Sequence, residues 1–507
     1  MTQQKPMKPE GKAEELVFKS VKTGAFAIVS KGLDVADDEA WGAAETIRAE
    51  FLRHICLHPQ IYNIETSGFQ IQGARIVGTL NLQFITLEFP IRIQMSRFMD
   101  KLFLDQCSVP ILNFNGSFFK HGLAADGLKC AGSVSLNNIQ SQGEVHLLGA
   151  DIKDNLSCGG AIFKNEKNDV LSVDRLICGG SVSLEKIQAQ GKVRFLGADI
   201  KSDLSCDGAF FENEGGDAFN AERSRVGGRL FWRNFKPQSN GRVDFRHAHV
   251  GDLIDDLDSW PEMGKLRLDG FTYDNLGQFC AAKGRIAWLD RMIQSSEEFY
   301  PQPYEQLIKV LKNAGHEHDA KKIAMAKQDA FCAYLKRSSK ADSNKVTWHR
   351  RLWLYILKKT TGYGYKPHRA LLWSVSFIFV GTFVFEAAYV TQAIVPAKDR
   401  VFVDPCSSIT NKNVACKDVW ETKTTKRFYQ PVWMSKGNAY RLPKAYVEFN
   451  PIGYSADVFV PFLDLQQETS WMPKKGWWHY YMWFHIIMGW IFTTVTVIGF
   501  TGLFKKE

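Results

Sequence analysis

The sequence contains no CxxC pair, no His/Cys cluster at metal-ligand spacing, no haem-attachment motif and no dinucleotide-binding glycine pattern in a βαβ setting. Those absences remove the sequence grounds for structural zinc, dithiol, c-type haem or nicotinamide chemistry, and no cofactor is expected. Hairpin turn pairs are scarce, which argues against an antiparallel sandwich, whose neighbouring strands are commonly joined by such turns. No apolar core follows the first lysines, so a signal peptide is not expected and the amino terminus is expected to stay in the cytoplasm. Charge of one sign is lacking too. Against 63 Lys and Arg stand 54 Asp and Glu, and without an aromatic or base-reading site this net +9 gives no reason to expect a nucleic-acid partner. A hydrophobic content of 45% and an aromatic content of 13% exclude disorder.

What is present is repetition: a segment of about 48 residues is written twice in tandem over 128–223. Leu-Lys-Cys-Ala-Gly-Ser-Val-Ser-Leu at 128–136 returns at 176–184, and Leu-Gly-Ala-Asp-Ile-Lys at 148–153 returns at 196–201. Cys130 corresponds to Cys178, and Cys158 to Cys206. Within each copy runs a beat of roughly ten to eleven residues, two per turn, with an apolar-x-apolar triplet in each. In Val134-Ser-Leu136, Val145-His-Leu147, Leu156-Ser-Cys158, Val182-Ser-Leu184, Val193-Arg-Phe195 and Leu204-Ser-Cys206, the first and third side chains share one strand face. Glycines such as Gly149, Gly160, Gly179 and Gly180 fall between triplets, where corners need positive φ or close backbone approach. Strands this short bury a face only by stacking, which predicts a right-handed, pentapeptide-like parallel β-solenoid of roughly nine coils.

The domain reading is a disordered tail at 1–12, an N-terminal helical cap at 13–66, the solenoid at 67–258 and a connector at 259–302. An α-helical hairpin with a basic juxtamembrane segment follows at 303–369. A transmembrane helix at 370–394, an extracytoplasmic loop at 395–479 and a second transmembrane helix with a short tail at 480–507 complete it. In the cap, 37–58 reads as one amphipathic helix carrying Trp41, Ala44, Ile47, Phe51, Leu52 and Ile55. Two inserts at matching positions, 164–173 and 212–221, are expected as loops aligned along one solenoid edge, the first candidate for a binding face. Tyr304, Leu307, Ile308 and Leu311, then Ala320, Ile323, Ala324 and Phe331, mark the two faces of the hairpin.

Few residues suggest chemistry. Asp252, Asp255, Asp256 and Asp258 cluster where the coils end; carboxylates of calcium sites or glycosidases cluster so, but acidic loops at a solenoid end are more commonly solvated groups or helix caps, which is the expectation here. His247 and His249 are expected on one strand face, and His316 and His318 beside a helix start, neither pair with a third ligand. No catalytic, cofactor or metal residue is assigned. Eight of the ten cysteines precede the apolar segments and fit a reducing compartment; Cys406 and Cys416 in the loop form a candidate disulfide.

The two spans place both termini on one side, with Arg350, Arg351, Lys358, Lys359, Lys366 and Arg369 as candidate contacts to anionic lipid headgroups. Trp477, Trp478, Tyr480, Tyr481 and Trp483 form an interfacial belt. Glu386 is costly in lipid and is expected to face a partner helix or water, with His485, Thr493, Thr494 and Thr496 offering polar contacts. The apolar stretch 449–465 is too short to span and is expected either at the interface or re-entering the bilayer.

Several motifs together resemble, over nearly the whole chain, one bacterial family of membrane-anchored proteins with pentapeptide-like repeats. They are Ile47-Arg-Ala-Glu-Phe-Leu52, Gly73-Ala-Arg-Ile-Val-Gly78, Pro303-Tyr-Glu-Gln-Leu307 with Ala314-Gly-His316, Gly362-Tyr-Gly-Tyr-Lys-Pro367, Phe449-Asn-Pro451, Tyr454-Ser455 and Leu463-Asp-Leu465. The resemblance implies a multi-pass protein of the bacterial inner membrane with cytoplasmic termini. Members often carry the label of membrane-associated oxidoreductase, for which the residues here supply no redox motif. The expected function is non-enzymatic: a cytoplasmic solenoid that binds a protein partner or self-assembles into a homo-oligomer, coupled to the two-span domain. The alternatives are an oligomeric ion channel or membrane-disrupting effector gated by the solenoid, as in anti-phage defence, and, third, a redox or sugar-cleaving enzyme.

Overall fold

Alternation with period two makes each triplet a short strand with its outer residues turned inward. Val134, Leu136, Val145, Leu147, Leu156, Cys158, Val182, Leu184, Val193, Phe195, Leu204 and Cys206 are all buried. In the computed structural model, residues 6–235, 240–277, 281–293, 298–341, 348–397, 429–435, 438–443 and 446–501 are described. Cys280, Cys406, Cys416 and the side chains of Arg350 and Arg351 lie outside them. The chain divides into two compact units, Met1–Ala341 and Asp342–Glu507.

The first unit is a parallel β-solenoid of about nine turns. One coil runs through Ile91–Gln94, Arg97–Phe98, Leu102–Phe103 and Ser108–Val109 before Leu112–Asn113 pairs in parallel with Ile91–Gln94. Four ladders of short parallel strands therefore run along the rod. Val134 pairs with Leu156, 22 residues on, and Leu156 with Val182, 26 residues on; one coil of each length accounts for the tandem period. Corners do adopt positive φ, at Gly149 and Gly197 but equally at Arg175 and Arg223. Gly179 serves the other purpose, since a Cβ there would stand 2.2 Å from the Lys153 carbonyl oxygen.

The solenoid is longer than its repeat grammar at both ends. Ala27–Ile28 pairs with Phe69–Gln72, and Thr46–Arg48 with Arg75–Val77. At the far end Leu266–Arg267 and Thr272–Leu276 continue the ladders into the expected connector. The helix expected over 37–58 is confined to Ala49–Leu57, and Ile47 lies in a strand. Pairing with the exposed edge of the first coil overrides helical spacing there. The tail is ordered from Met7, whose N–H donates to the Tyr62 hydroxyl at 2.8 Å. The cap proper is Gly11–Thr23, which buries Ala13, Val17 and Val21.

That cap is locked by Glu14, buried against Arg48 through Nε at 2.9 Å and Nη2 at 2.8 Å, with the N–H groups of Arg48 and Glu10 also donating to it. Burial, the largest single influence, pushes its carboxyl up. The Arg48 hydrogen bond, the two backbone donors and the Arg48 charge together outweigh it and hold the group below its ordinary 4.5. A carboxyl lowered by folding stabilises the fold above the unfolded value, and this is lost as pH falls through the folded value. The protection of the Gly11–Thr23 amides, their exchange rate divided into the unstructured rate at the same pH, is therefore expected to fall on acidification below pH 4.5, and a Glu14→Gln chain to show no such acid limb.

Asp255 and Arg285 form a fully buried bidentate pair, with both contacts at 2.8 Å, where Trp260 and Trp288 close the last coils. The hairpin of Gln302–Asn313 and Glu317–Ala341 packs there as well. Gln302 Nε2 and Gln306 Nε2 donate to the carbonyls of Phe271 and Tyr273. Tyr304, Leu307, Ile308, Leu311, Ala320, Ile323 and Ala324, read from the sequence as the faces of the hairpin, are buried in one core with the solenoid, and Gly315, at φ +79°, ends the first hairpin helix. Cys56, Cys107, Cys130, Cys158, Cys178 and Cys206 are free and buried. Burial pushes the Cys107 and Cys158 thiols up to about 12, so they act as small hydrophobes rather than nucleophiles.

The second unit is built on two apolar helices, Pro367–Val390 and Trp477–Thr501, preceded by Trp348–Thr361. Segments His368–Val390 and Trp477–Ile498 are long and apolar enough to cross a membrane. A shorter helix, Pro451–Phe459, packs against both. Ile394–Pro396 pairs antiparallel with Trp471–Pro473, tying the end of the first apolar helix to the approach of the second.

Candidate functional site

The polar clusters of the solenoid serve its packing. Asp255 is bound to Arg285 and to Trp260 Nε1, Asp256 caps the turn at Leu257–Ser259, and Asp252 accepts from Asn275. The cluster singled out by its spacing is thus split among three structural jobs. His247 takes a positive-φ corner and does not share the strand face of His249, which meets the Thr272 hydroxyl at 3.0 Å. Asp105, Asp126 and His146 stack on successive coils with ligand atoms within 4.8 Å. His146 Nδ1 is engaged by Asp126 at 2.8 Å, both Asp105 oxygens accept hydrogen bonds, and Lys101 Nζ lies 3.2 Å from His146 Nε2. An ammonium at that distance opposes a metal cation there.

The matched inserts are not free loops. They extend into the 11-residue strands Ile162–Ser172 and Phe210–Asn220, whose ladders break at equivalent points, after Lys164 and after Glu212. Asn165 Nδ2 bonds the Asp169 carbonyl, and Asn213 Nδ2 that of Asp217, so each insert makes a small side-chain-braced excursion. The widened sheet beside them carries an ion-pair lattice. Arg194 holds Asp169 and Asp174, Arg242 holds Asp217, Arg246 holds Glu222 and Asp244, and Arg267 reaches Asp244. Together these pairs form a preorganised charged face on the solenoid.

In the second unit the residues converge on the short helix. Asn450 caps it through Gly453 N–H at 3.0 Å, with Pro451 in its first turn. Phe449 stacks on Tyr389 near the end of the first apolar helix, and Tyr454 packs on Phe385. Ser455 Oγ donates to the Ile378 carbonyl at 2.8 Å, and Phe459 packs on Phe377 and on the His485 ring. Phe377 lies about 20 Å along the helix from Val390, at 1.5 Å per residue. The short helix therefore runs down to the middle of both apolar helices.

Two glycines make room for it. A Cβ on Gly489 would stand 1.8 Å from the Phe459 carbonyl oxygen, and one on Gly381 would stand 2.3 Å from Ser455 Oγ. His485 is fully buried, with Nε2 at 3.2 Å from Ser455 Oγ. Sealed from solvent, with the hydroxyl aimed at a carbonyl, Ser455 and His485 form a packing pair rather than a nucleophile and base. Asp457 accepts from the N–H groups of Leu465, Gln467 and Glu468 and folds the returning chain back over the helix.

No protein-family model, curated protein or solved structure matches the chain. The site therefore rests on its own geometry. Glu386 and His485, both expected to be functional within the apolar segments, are not brought together. Glu386 is exposed on the face that carries Phe379, Phe383 and Val390, whereas His485 faces the short helix. Among the other named residues, Lys358 and Lys359 are exposed, Lys366 and Arg369 are half-buried, and Thr496 bonds back to its own helix at Phe492. Sequence reasoning missed Gly381, Asp457 and Gly489, and named Ser455 only within a motif of the resemblance. The Asn450-Pro451 start signal was available, but the packing glycines carry no local mark.

Proposed function

We propose that the protein is a non-enzymatic, multi-pass protein of the bacterial inner membrane, related to the membrane-anchored pentapeptide-like-repeat proteins it resembles. The solenoid is its protein-recognition module, and the two apolar helices cross the bilayer with both termini cytoplasmic. One observation carries the membrane reading: only 17% and 22% of the two apolar windows are buried. Leu371, Leu372, Trp373, Phe379, Phe383, Trp490 and Ile491 stand exposed, a surface that water penalises and lipid accepts. Lys358, Lys359, Lys366 and Arg369, with Arg350 and Arg351, then meet anionic headgroups.

For the solenoid, the lattice around Arg194, Arg242 and Arg246 supports a charged protein partner over a small substrate, because among the described residues its carboxylates and guanidinium groups are engaged with one another rather than converging as catalytic groups. Alkaline carbonate washing of bacterial membranes is expected to leave the chain in the pellet, and its release would end the membrane reading. Deleting 165–168 together with 213–216 is expected to abolish partner capture by in-cell cross-linking while leaving the pellet fraction unchanged. Undiminished capture would reject the recognition face. A second reading, an oligomeric channel, is favoured by one further observation, the depth reached by Pro451–Phe459.

A further inference from the structure

The chain does not leave the short helix as another helix. Residues 460–468, Val-Pro-Phe-Leu-Asp-Leu-Gln-Gln-Glu, turn back in irregular conformation. Because the Leu465 N–H ends on Asp457, two residues before the tip at Phe459, the first part of the return stays near the deepest level of the short helix, and Gln467 then reaches back to Glu448 and Asn450 at its start. Phe462, Leu463, Asp464, Leu465 and Gln466 are exposed there. Among the described residues, no carbonyl from 461 to 466 accepts a hydrogen bond. The Asp464 carboxylate bonds only within its own turn, to Gln466 N–H at 2.9 Å.

Resting on the membrane reading, this arrangement has a physical consequence. Hydrocarbon offers no donors, so irregular backbone at membrane depth persists only where protein covers it or water reaches it. A second copy of this chain supplies the covering surface, but wherever the segment lies at the symmetry axis of a closed assembly, the same segment of every copy meets there. The facing segments then present carbonyls and carboxylates to carbonyls and carboxylates, acceptors without donors. Water or cations must fill the gap.

We infer that residues 461–466 of several copies line a water-filled seam between subunits, and that this seam passes monovalent cations. Backbone carbonyls replace part of the hydration shell and the Asp464 ring repels anions. Residues 460–468 contain two carboxylates and no basic side chain, which sets the sign.

The test uses the full chain in liposomes of phosphatidylethanolamine and phosphatidylglycerol. In a Leu465→Cys chain a membrane-impermeant maleimide is expected to label above the background of the unsubstituted protein. A Leu372→Cys chain, exposed on the lipid-facing side, is expected to stay at background. Potassium flux is expected from the unsubstituted protein, and Asp464→Asn is expected to lower its cation-over-anion preference at least tenfold. Equal labelling of both cysteines, no labelling at Leu465→Cys, a monomer by mass in detergent, or flux indifferent to Asp464→Asn would each overturn the seam. Should Asp464→Asn fail to insert, the labelling contrast and the subunit count still decide it. Loss of the protein from liposomes on alkaline washing would instead strike the membrane reading, so the two failures are separable.

Discussion

Gly489→Ala is expected to destabilise the second unit by at least about 3 kcal/mol, the upper range for forcing atoms into a packed contact. The added methyl would stand 1.8 Å from the Phe459 carbonyl oxygen. Backbone at the end of a helix wedged between two others has no rotamer by which to escape, so the helices must part. Gly381→Ala meets the far ends of Ser455 and His485, at 2.3 and 2.6 Å, which can rotate aside at the cost of the hydrogen bond to Ile378. Its effect is expected to be smaller. Ile487→Ala, at an exposed site, serves as the neutral reference. Thermal unfolding in detergent is expected to rank them in that order, with the Gly489 chain lower by roughly 6–12 °C. A Gly489→Ala chain that melts with the unsubstituted protein would show that the short helix does not sit between the apolar ones.

Arg285→Met carries the second large effect. It strands the Asp255 carboxylate in the core with Trp260 Nε1 as its remaining side-chain donor. Removing one partner of a buried ion pair costs about 3–5 kcal/mol, because the other charge stays desolvated and uncompensated. Replacing both, as Asp255→Leu with Arg285→Met, removes charge and demand together and is expected to cost far less, since buried pairs exchange for apolar groups at little net loss. Urea titration of the full chain, followed by tryptophan fluorescence and compared among the single, double and unsubstituted chains, reads the loss, since Trp260 and Trp288 are among its 14 tryptophans. If the double replacement proved as damaging as Arg285→Met alone, the pair would be supplying specific geometry rather than neutralising a buried charge.

These two sites show where local reading stops. Val134, Leu136 and their successors could be placed because a face repeated every two residues, in a segment itself repeated, has one economical way to be buried. The inserts and their matching positions could be found, but not their conversion into strands, since a four-residue excursion within a ladder looks like a loop until its neighbours supply hydrogen-bond partners. The Asp252 to Asp258 cluster was legible as capping chemistry, and Asp256 does cap a turn, but the ion pair made by Asp255 was not. The cluster's members are close in the chain, and Ser259 is a local partner of Asp256, but Arg285 and Asn275 are brought to Asp255 and Asp252 by later turns.

The sequence by itself determined the solenoid, its cysteine packing, the hairpin helices and the two long apolar helices, because each follows from periodicity or from length alone. Only the tertiary structure decided that Pro451–Phe459 runs between the apolar helices, that Gly381 and Gly489 admit it, and that Glu386 and His485 point different ways. Those facts depend on which residues meet across long stretches of chain. A side chain's neighbour at that range is set by the simultaneous packing of several elements, and that information is not written in the spacing of any one of them.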